Sequence, residues 1–168
     1  QRETRTNFVI TDTKSSQQTI IGAPGPHISR GEFERFQRKM MRIRPSSDLI
    51  VASGSVPPGI PNDVYSTITM EAKTFGVRTI LDSDNQWLAE GIKAKPYLIK
   101  PNVRESEGLL DRELLSEEAI IKAALNLVET GIEIVVISRG KDGIIAATKK
   151  EILKAVPPPV KVRSAVGA

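Results

Sequence analysis

Cysteine is absent from the 168 residues, and histidine occurs once, at His27. Without thiols there is no disulfide framework and no cysteine metal site, and a reducing, cytoplasmic setting is expected. His27 stands among prolines in an apparent connector, which suits a surface or packing position better than catalysis. With that lone histidine and no cysteine, zinc enzymes and triad hydrolases fall away as readings. Aromatic residues make up only 4% of the chain, too few for the stacking platforms that single-stranded nucleic acids require. No apolar run approaches the length that spans a bilayer, so no membrane partner is expected.

What is present is ordinary for a globular protein: 39% hydrophobic and 26% charged residues, in a length that suits one domain. The 24 basic residues are interspersed with 20 acidic ones, for a net charge of +4. The densest basic stretch, Arg30 to Arg44, is interrupted by Glu32 and Glu34 and reads as a solvated helix face. No nucleic-acid partner is expected; a modest positive surplus is equally welcome to nucleotide phosphates.

Along the chain, Asn7 to Gly22 reads as two short strands around a polar stretch, and Pro24-Gly25-Pro26 breaks the pattern. Ser29 and Glu32 have the spacing of a capping box, and Phe33, Phe36, Met40 and Ile43 share one helical face that Pro45 ends. Leu49 to Ala52 reads as a buried strand. Pro61 is expected to open a helix carrying Val64, Ile68, Ala72 and Phe75, and Phe75 and Trp87 are expected in the core. Val77 to Leu81, Tyr97 to Ile99 and Ile134 to Ile137 read as further strands. A short helix over Asp84 to Ile92 and a longer one after Ser116 lie between them. Gly143 turns the chain into a strand over Ile144 to Ala147, and the three prolines of Val156 to Val160 exclude a central strand there. Such alternation predicts an α/β fold, a mostly parallel sheet covered by helices on both faces.

In an open parallel sheet, ligands sit beyond the carboxyl ends of the strands. Four successive strand ends carry small, polar or charged groups: Ser53-Gly54-Ser55, Asp82-Ser83-Asp84, Lys100 with Asn102 and Glu105, and Ser138 with Gly140 and Lys141. Each has a structural reading as well. Ser53 to Ser55 suit a turn, Asp84 suits a helix N-cap, and Asn102 with Glu105 suits a capping box. Ser138 to Gly143 suits a hairpin loop. A cap and a ligand role are compatible, because a helix N-terminus with a carboxylate also suits polyphosphate and hydrated Mg2+. The two glycines of the last segment let backbone approach phosphate.

With these motifs in place, the chain resembles the PfkB group of carbohydrate kinases, a ribokinase-like family, and within it the phosphofructokinase and tagatose-6-phosphate kinase branch. The resemblance runs through Thr4-Arg5-Thr6-Asn7, Pro24-Gly25-Pro26, Ser53 to Gly59, Lys100-Pro101-Asn102 with Glu105, Ser138-Arg139-Gly140, Val156 to Lys161 and Val166-Gly167-Ala168. It implies a partial β lid over residues 1–23 and a partial nucleotide-binding core over 24–168, an incomplete domain. It implies ATP-dependent phosphoryl transfer to a sugar phosphate, with 6-phosphofructokinase favoured over 1-phosphofructokinase and tagatose-6-phosphate kinase. Arg5 would hold the substrate's phosphate and Ser55 would line the sugar side. Lys100 and Asn102 would meet ATP phosphates, and Glu105 would organise Mg2+ through water. Ser138, Gly140 and Gly143 would border the nucleotide, while Gly167 and Ala168 would begin the anion hole. The parent would be a homodimer through its lid strands. Two residues depart from the family pattern: Ala165 replaces a hydroxyl residue, and Arg139 stands where an apolar one is common. The family's catalytic aspartate is expected beyond Ala168, so the chain alone is expected to be inactive. A non-catalytic nucleotide- or partner-binding module is the alternative.

Overall fold

The structure, a computed structural model, describes residues 3–12, 18–43 and 46–159. Strands β1 (Phe8–Thr11) and β2 (Gln18–Ile21) pair antiparallel into a ribbon of their own, with Phe8 opposite Ile21. Helix α1 (Arg30–Ile43) starts at the expected box: the Ser29 amide donates to Glu32 at 2.8 Å, and the Glu32 amide donates back to the Ser29 hydroxyl at 3.4 Å. Its apolar stripe faces the next helix, where Phe33, Phe36 and Met40 share a small cleft with Val64 and Ile68. Phe36 and Ile43 remain largely exposed. Pro45 lies outside the described residues.

The remaining elements are β3 (Leu49–Ser53), α2 (Val64–Thr74), β4 (Arg78–Asp82), α3 (Asn85–Gly91), β5 (Leu98–Ile99), α4 (Val103–Leu110), α5 (Glu117–Glu129), β6 (Ile134–Ser138), β7 (Ile144–Ala147) and β8 (Ile152–Ala155). They form one six-stranded sheet in the order β3-β4-β5-β6-β7-β8. The first four strands are parallel, and β7 and β8 join antiparallel. The α/β class and the mostly parallel sheet are thus as the sequence indicates.

Register decides which side chains meet. Ala52, Leu81, Ile99, Val135 and Ala147 lie across from one another in a single row. That row, with Ile137 and Ile145, is buried against Val64, Tyr65 and Ile68 of α2, Leu88 of α3 and Ile120, Ala124 and Leu127 of α5. Strands added in one direction by right-handed crossovers place all their helices on the same side. On the other side Leu49, Val51, Ile144 and Leu153, from strands at or near the two ends of the sheet, are exposed, and Ile80, Leu98 and Val136 of the middle strands are half-buried. Among the described residues, the expectation of helices on both faces is therefore met on one face.

Four local readings need correction. Leu49 to Ala52 is an apolar strand, but it stands at the sheet's edge, and Val51 is 62% exposed. Phe75 is no core residue; it is the C-cap of α2 and 51% exposed. Pro61 does not open α2, which begins at Val64; its carbonyl accepts the Val64 amide at 3.2 Å in the turn before the helix. Asp84 occupies the N-cap position of α3 with extended backbone, yet its side chain makes no cap hydrogen bond. Strand β8 went unread, because Lys154 and the following prolines mask a four-residue edge strand. Trp87 packs against the core as expected, with its indole Nε1 buried and unpartnered. No helix among the described residues is long and apolar enough to cross a membrane.

Candidate functional site

The four strand ends are stitched side to side. The Gly54 amide donates to the Asp82 carbonyl at 2.9 Å, and the Lys100 amide to the Leu81 carbonyl at 3.1 Å. The Ser138 amide reaches the Pro101 carbonyl at 2.9 Å, where Asn102 and Ser138 form an isolated parallel bridge. Beneath the first turn, the Tyr65 hydroxyl donates to the Gly54 carbonyl at 2.8 Å, and the Ser83 hydroxyl donates to the same oxygen at 3.0 Å. Burial pushes the Tyr65 phenol above its ordinary value, so it stays protonated and able to donate.

Lys100 Nζ pairs with Asp82 Oδ1 at 3.1 Å, both side chains being partly exposed. Sequence reasoning placed Asp82 among the polar strand ends without a partner. The sheet register carries the missing signal: Ile80 faces Leu98 and Leu81 faces Ile99, so the next residues in each strand direction, Asp82 and Lys100, emerge side by side. A partly exposed pair of this kind contributes little stability, but it orients the ammonium at the mouth of the edge.

Asn102 caps α4 in full. Its Oδ1 accepts the Glu105 amide at 2.9 Å, its own amide donates to Glu105 Oε2 at 2.8 Å, and its Nδ2 donates to Oε1 at 2.7 Å. Both carboxylate oxygens of Glu105 are engaged by Asn102, so an outer-sphere metal role through water suits Glu105 better than direct ligation. Asn102 and Glu105 share a cleft of about 690 Å³ with Asp84, whose Oδ1 is buried without a partner. Asp84 and Glu105 thus bring two carboxylates to one cleft, a donor set that suits a hard, hydrated cation such as Mg2+. Among the described residues, no group of three or more acidic or histidine side chains forms a closed metal cage.

Asn102 also borders a second cleft, of about 520 Å³, with Ser138, Arg139, Gly140 and Asp142 on one wall and Leu114 to Glu117 on the other. Here the chain turns through Gly140 at φ +59° and Gly143 at φ +82° between β6 and β7. The hairpin reading of this segment is correct, since β6 and β7 are antiparallel neighbours. Arg139 reaches across to Glu117 at 2.8 Å, and Lys154 meets the same carboxylate at 2.7 Å. Sequence reasoning missed this trio, which spans 37 positions.

Arg5 and Ser55 come together in a third cleft, of about 240 Å³, with Thr4, Pro24, Gly25 and Pro57. They are 50 positions apart in sequence, and nothing local joins them. His27 is exposed against Gly59 and does not line this cleft, although its neighbours Pro26 and Ile28 do. Gly167, Ala168 and Ala165 lie outside the described residues.

A family profile described as pfkB family carbohydrate kinase matches residues 1–168. The chain belongs to that family. Among pfkB relatives, it is 32% identical over 167 residues to the ATP-dependent 6-phosphofructokinase isozyme 2 of Escherichia coli, covering 98% of this chain and 54% of that one. It is 36% identical to the 1-phosphofructokinase of Haemophilus influenzae, covering 99% and 53%, and 35% identical to a tagatose-6-phosphate kinase of Staphylococcus epidermidis, covering 99% and 54%. The crystal structure of Escherichia coli phosphofructokinase-2 in complex with potassium superposes with a TM-score of 0.88 at 32% identity, over 98% of this chain and 53% of that chain. The chain thus spans about half the length of the pfkB relatives it matches, and it shares their α/β fold over that half.

Proposed function

We propose that the protein carrying this chain transfers a phosphoryl group from ATP to a sugar phosphate, with fructose 6-phosphate as the first substrate to test. The observation that carries the reading is the row of groups on the carboxyl edge: Lys100, Asn102 and the Ser138–Gly143 turn are hydrogen-bonded into neighbouring positions, while Arg5 and Ser55 share a separate cleft. Phosphoryl transfer needs little covalent chemistry from the protein and much positioning and charge neutralisation. In this reading Lys100, oriented by Asp82, meets the polyphosphate. Asn102 and the backbone of the Ser138–Gly143 turn hold it in place. The Arg5 guanidinium grips the phosphate already on the sugar in a bidentate manner, and Ser55 contacts the sugar. Mg2+, when bound, neutralises phosphate charge; Glu105 and Asp84 are the residues that would hold its water shell.

Similar identities to relatives with three different sugar-phosphate names leave the sugar to experiment. The decisive assay supplies ATP·Mg2+ with fructose 6-phosphate, fructose 1-phosphate or tagatose 6-phosphate to the full-length protein. Turnover of one of them fixes the substrate. A folded full-length protein that turns over none favours a nucleotide- or partner-binding module instead. Replacing Arg5 with alanine is expected to raise KM for the sugar phosphate chiefly; a change confined to the KM for ATP would remove Arg5 from the sugar side.

The ribbon of β1 and β2 supports a further part of the reading. Phe8, Ile10, Ile20 and Ile21 are each more than half exposed on this two-stranded element, an apolar surface that suits pairing with a second copy. Sedimentation of Ile10→Lys against the parent protein tests that dimer: an unchanged mass would remove the ribbon from the interface.

A further inference from the structure

The turn between β6 and β7 is tied down by side chains that the reading above does not use. The Arg139 side chain is only 9% exposed. Its Nη1 donates to Glu117 Oε2 at 2.8 Å, and its Nη2 donates to the carbonyl of Asp142, within the turn, at 2.7 Å. Glu117 is the first residue of α5 and also accepts from Lys154 of β8, at 2.7 and 3.0 Å. The turn closes on itself as well: the Arg139 amide donates to the Gly143 carbonyl at 2.8 Å, and the Gly143 amide to the Gly140 carbonyl at 3.1 Å. Gly143 sits hard against the end of β8, where a Cβ would collide with the Ala155 carbonyl.

An isolated ion pair at a protein surface contributes little. This one differs on two counts. The guanidinium is nearly buried, and it bonds a backbone carbonyl of the turn while it bonds the carboxylate, so both hydrogen bonds are charge-assisted. Removing the guanidinium therefore releases the turn from α5 and frees the Asp142 carbonyl in one step.

We propose that Arg139, Glu117 and Lys154 form a clasp that preorganises the Ser138–Gly143 turn for a nucleotide polyphosphate. The inference rests on reading this edge as the nucleotide site. Arg139 is a positioning residue in this scheme: its effect passes through the backbone amides of the turn, and its guanidinium points its bonds at Glu117 and Asp142. Preorganisation raises affinity by removing the cost of ordering the loop when the ligand arrives.

The test compares the full-length protein with its Arg139→Leu, Glu117→Gln, double and Arg139→Lys variants by two readouts. The first is amide hydrogen exchange at Asp142 and Gly143 without nucleotide; the second is calorimetric titration with ATP·Mg2+. Each single variant is expected to exchange about tenfold faster at those amides. Each should bind ATP·Mg2+ about fivefold more weakly, and the double variant no worse than either, because both cut one connection. Arg139→Lys, which keeps the charge, should recover part of the protection. Unchanged exchange in both single variants overturns the clasp. Faster exchange with undiminished ATP affinity overturns its positioning role. Failure of the unmodified full-length protein to bind ATP·Mg2+ overturns the nucleotide reading itself, and the exchange data then still decide whether the clasp exists.

Discussion

The N-termini of α4 and α5 border the same cleft, but they are held in different ways. At α4 everything is local: Asn102 and Glu105 satisfy each other's amides three residues apart, and a hydroxyl one residue on, Ser106, donates to the Asn102 carbonyl. At α5 the cap itself is local, with Ser116 accepting the Ala119 amide at 3.1 Å. Its first helical residue, however, is tied to Arg139 and Lys154 on two other elements. One end is fixed by its own sequence, and the other only once the sheet has formed. A site built from both has one wall that is set early and one that depends on tertiary register.

The sharpest way to break the comparison is at Gly143. A methyl group there would overlap the Ala155 backbone, and the φ of +82° disfavours any side chain. Gly143→Ala is expected to destabilise the protein by about 3 kcal/mol, from overpacking and left-handed strain together. Urea unfolding measures it, and exchange at the Glu105 amide should stay protected below the transition, because the α4 cap does not depend on the turn. A loss below about 1 kcal/mol would show that β8 can withdraw and that the turn is not pinned.

The local wall is tested at its cap. Asn102→Ala removes the acceptor for the Glu105 amide and is expected to cost about 1 kcal/mol. If the two walls are independent, exchange at Asp142 and Gly143 should not change. Joint loosening would mean that Asn102 and the bridge it forms with Ser138 couple them.

The same division explains what the sequence revealed. Capping boxes at Ser29 and Asn102, the strand–helix alternation and the four polar strand ends are set by residues within a few positions, and each could be read directly. The pairing of Asp82 with Lys100 was out of reach until the register of β4 and β5 was known. Arg139 was visible only as a departure from an apolar pattern, since its partner Glu117 lies 22 positions back, and the other cation on Glu117, Lys154, is on a strand that the prolines concealed. Phe75 failed for the opposite reason: helical spacing placed it on the apolar face, but α2 ends one residue earlier and leaves it outside.

Acid should dissolve the non-local wall first. Hydrogen bonds from Lys154, then from Arg139, hold the Glu117 carboxyl below its ordinary value. A folded value below the unfolded one means that the stabilisation is complete at neutral pH and drains away as pH falls through the lowered value. The urea midpoints of the protein and of Glu117→Gln should therefore differ at neutral pH and converge in acid. Glu32, also held low by its bonds to Ser29, is common to both proteins and cancels. A gap that persists at low pH would mean that the carboxylate charge is not what fastens the clasp.

The smallest effect is expected where the distance alone looks best. Lys93 Nζ lies 2.6 Å from Glu90 Oε1, shorter than either contact to Glu117, but the two side chains are 65% and 37% exposed and three residues apart on the protein's surface. Water screens the pair, and both side chains lose rotamer freedom to make it, so Lys93→Ala should change stability by no more than about 0.3 kcal/mol. Arg139 forms a longer contact to Glu117, yet its removal takes away a bond to the Asp142 carbonyl as well as an ion pair. What separates the two cases is how much protein each cation holds together. An effect at Lys93 as large as that at Arg139 would mean that proximity of charge, not the linking of elements, sets the strength of both.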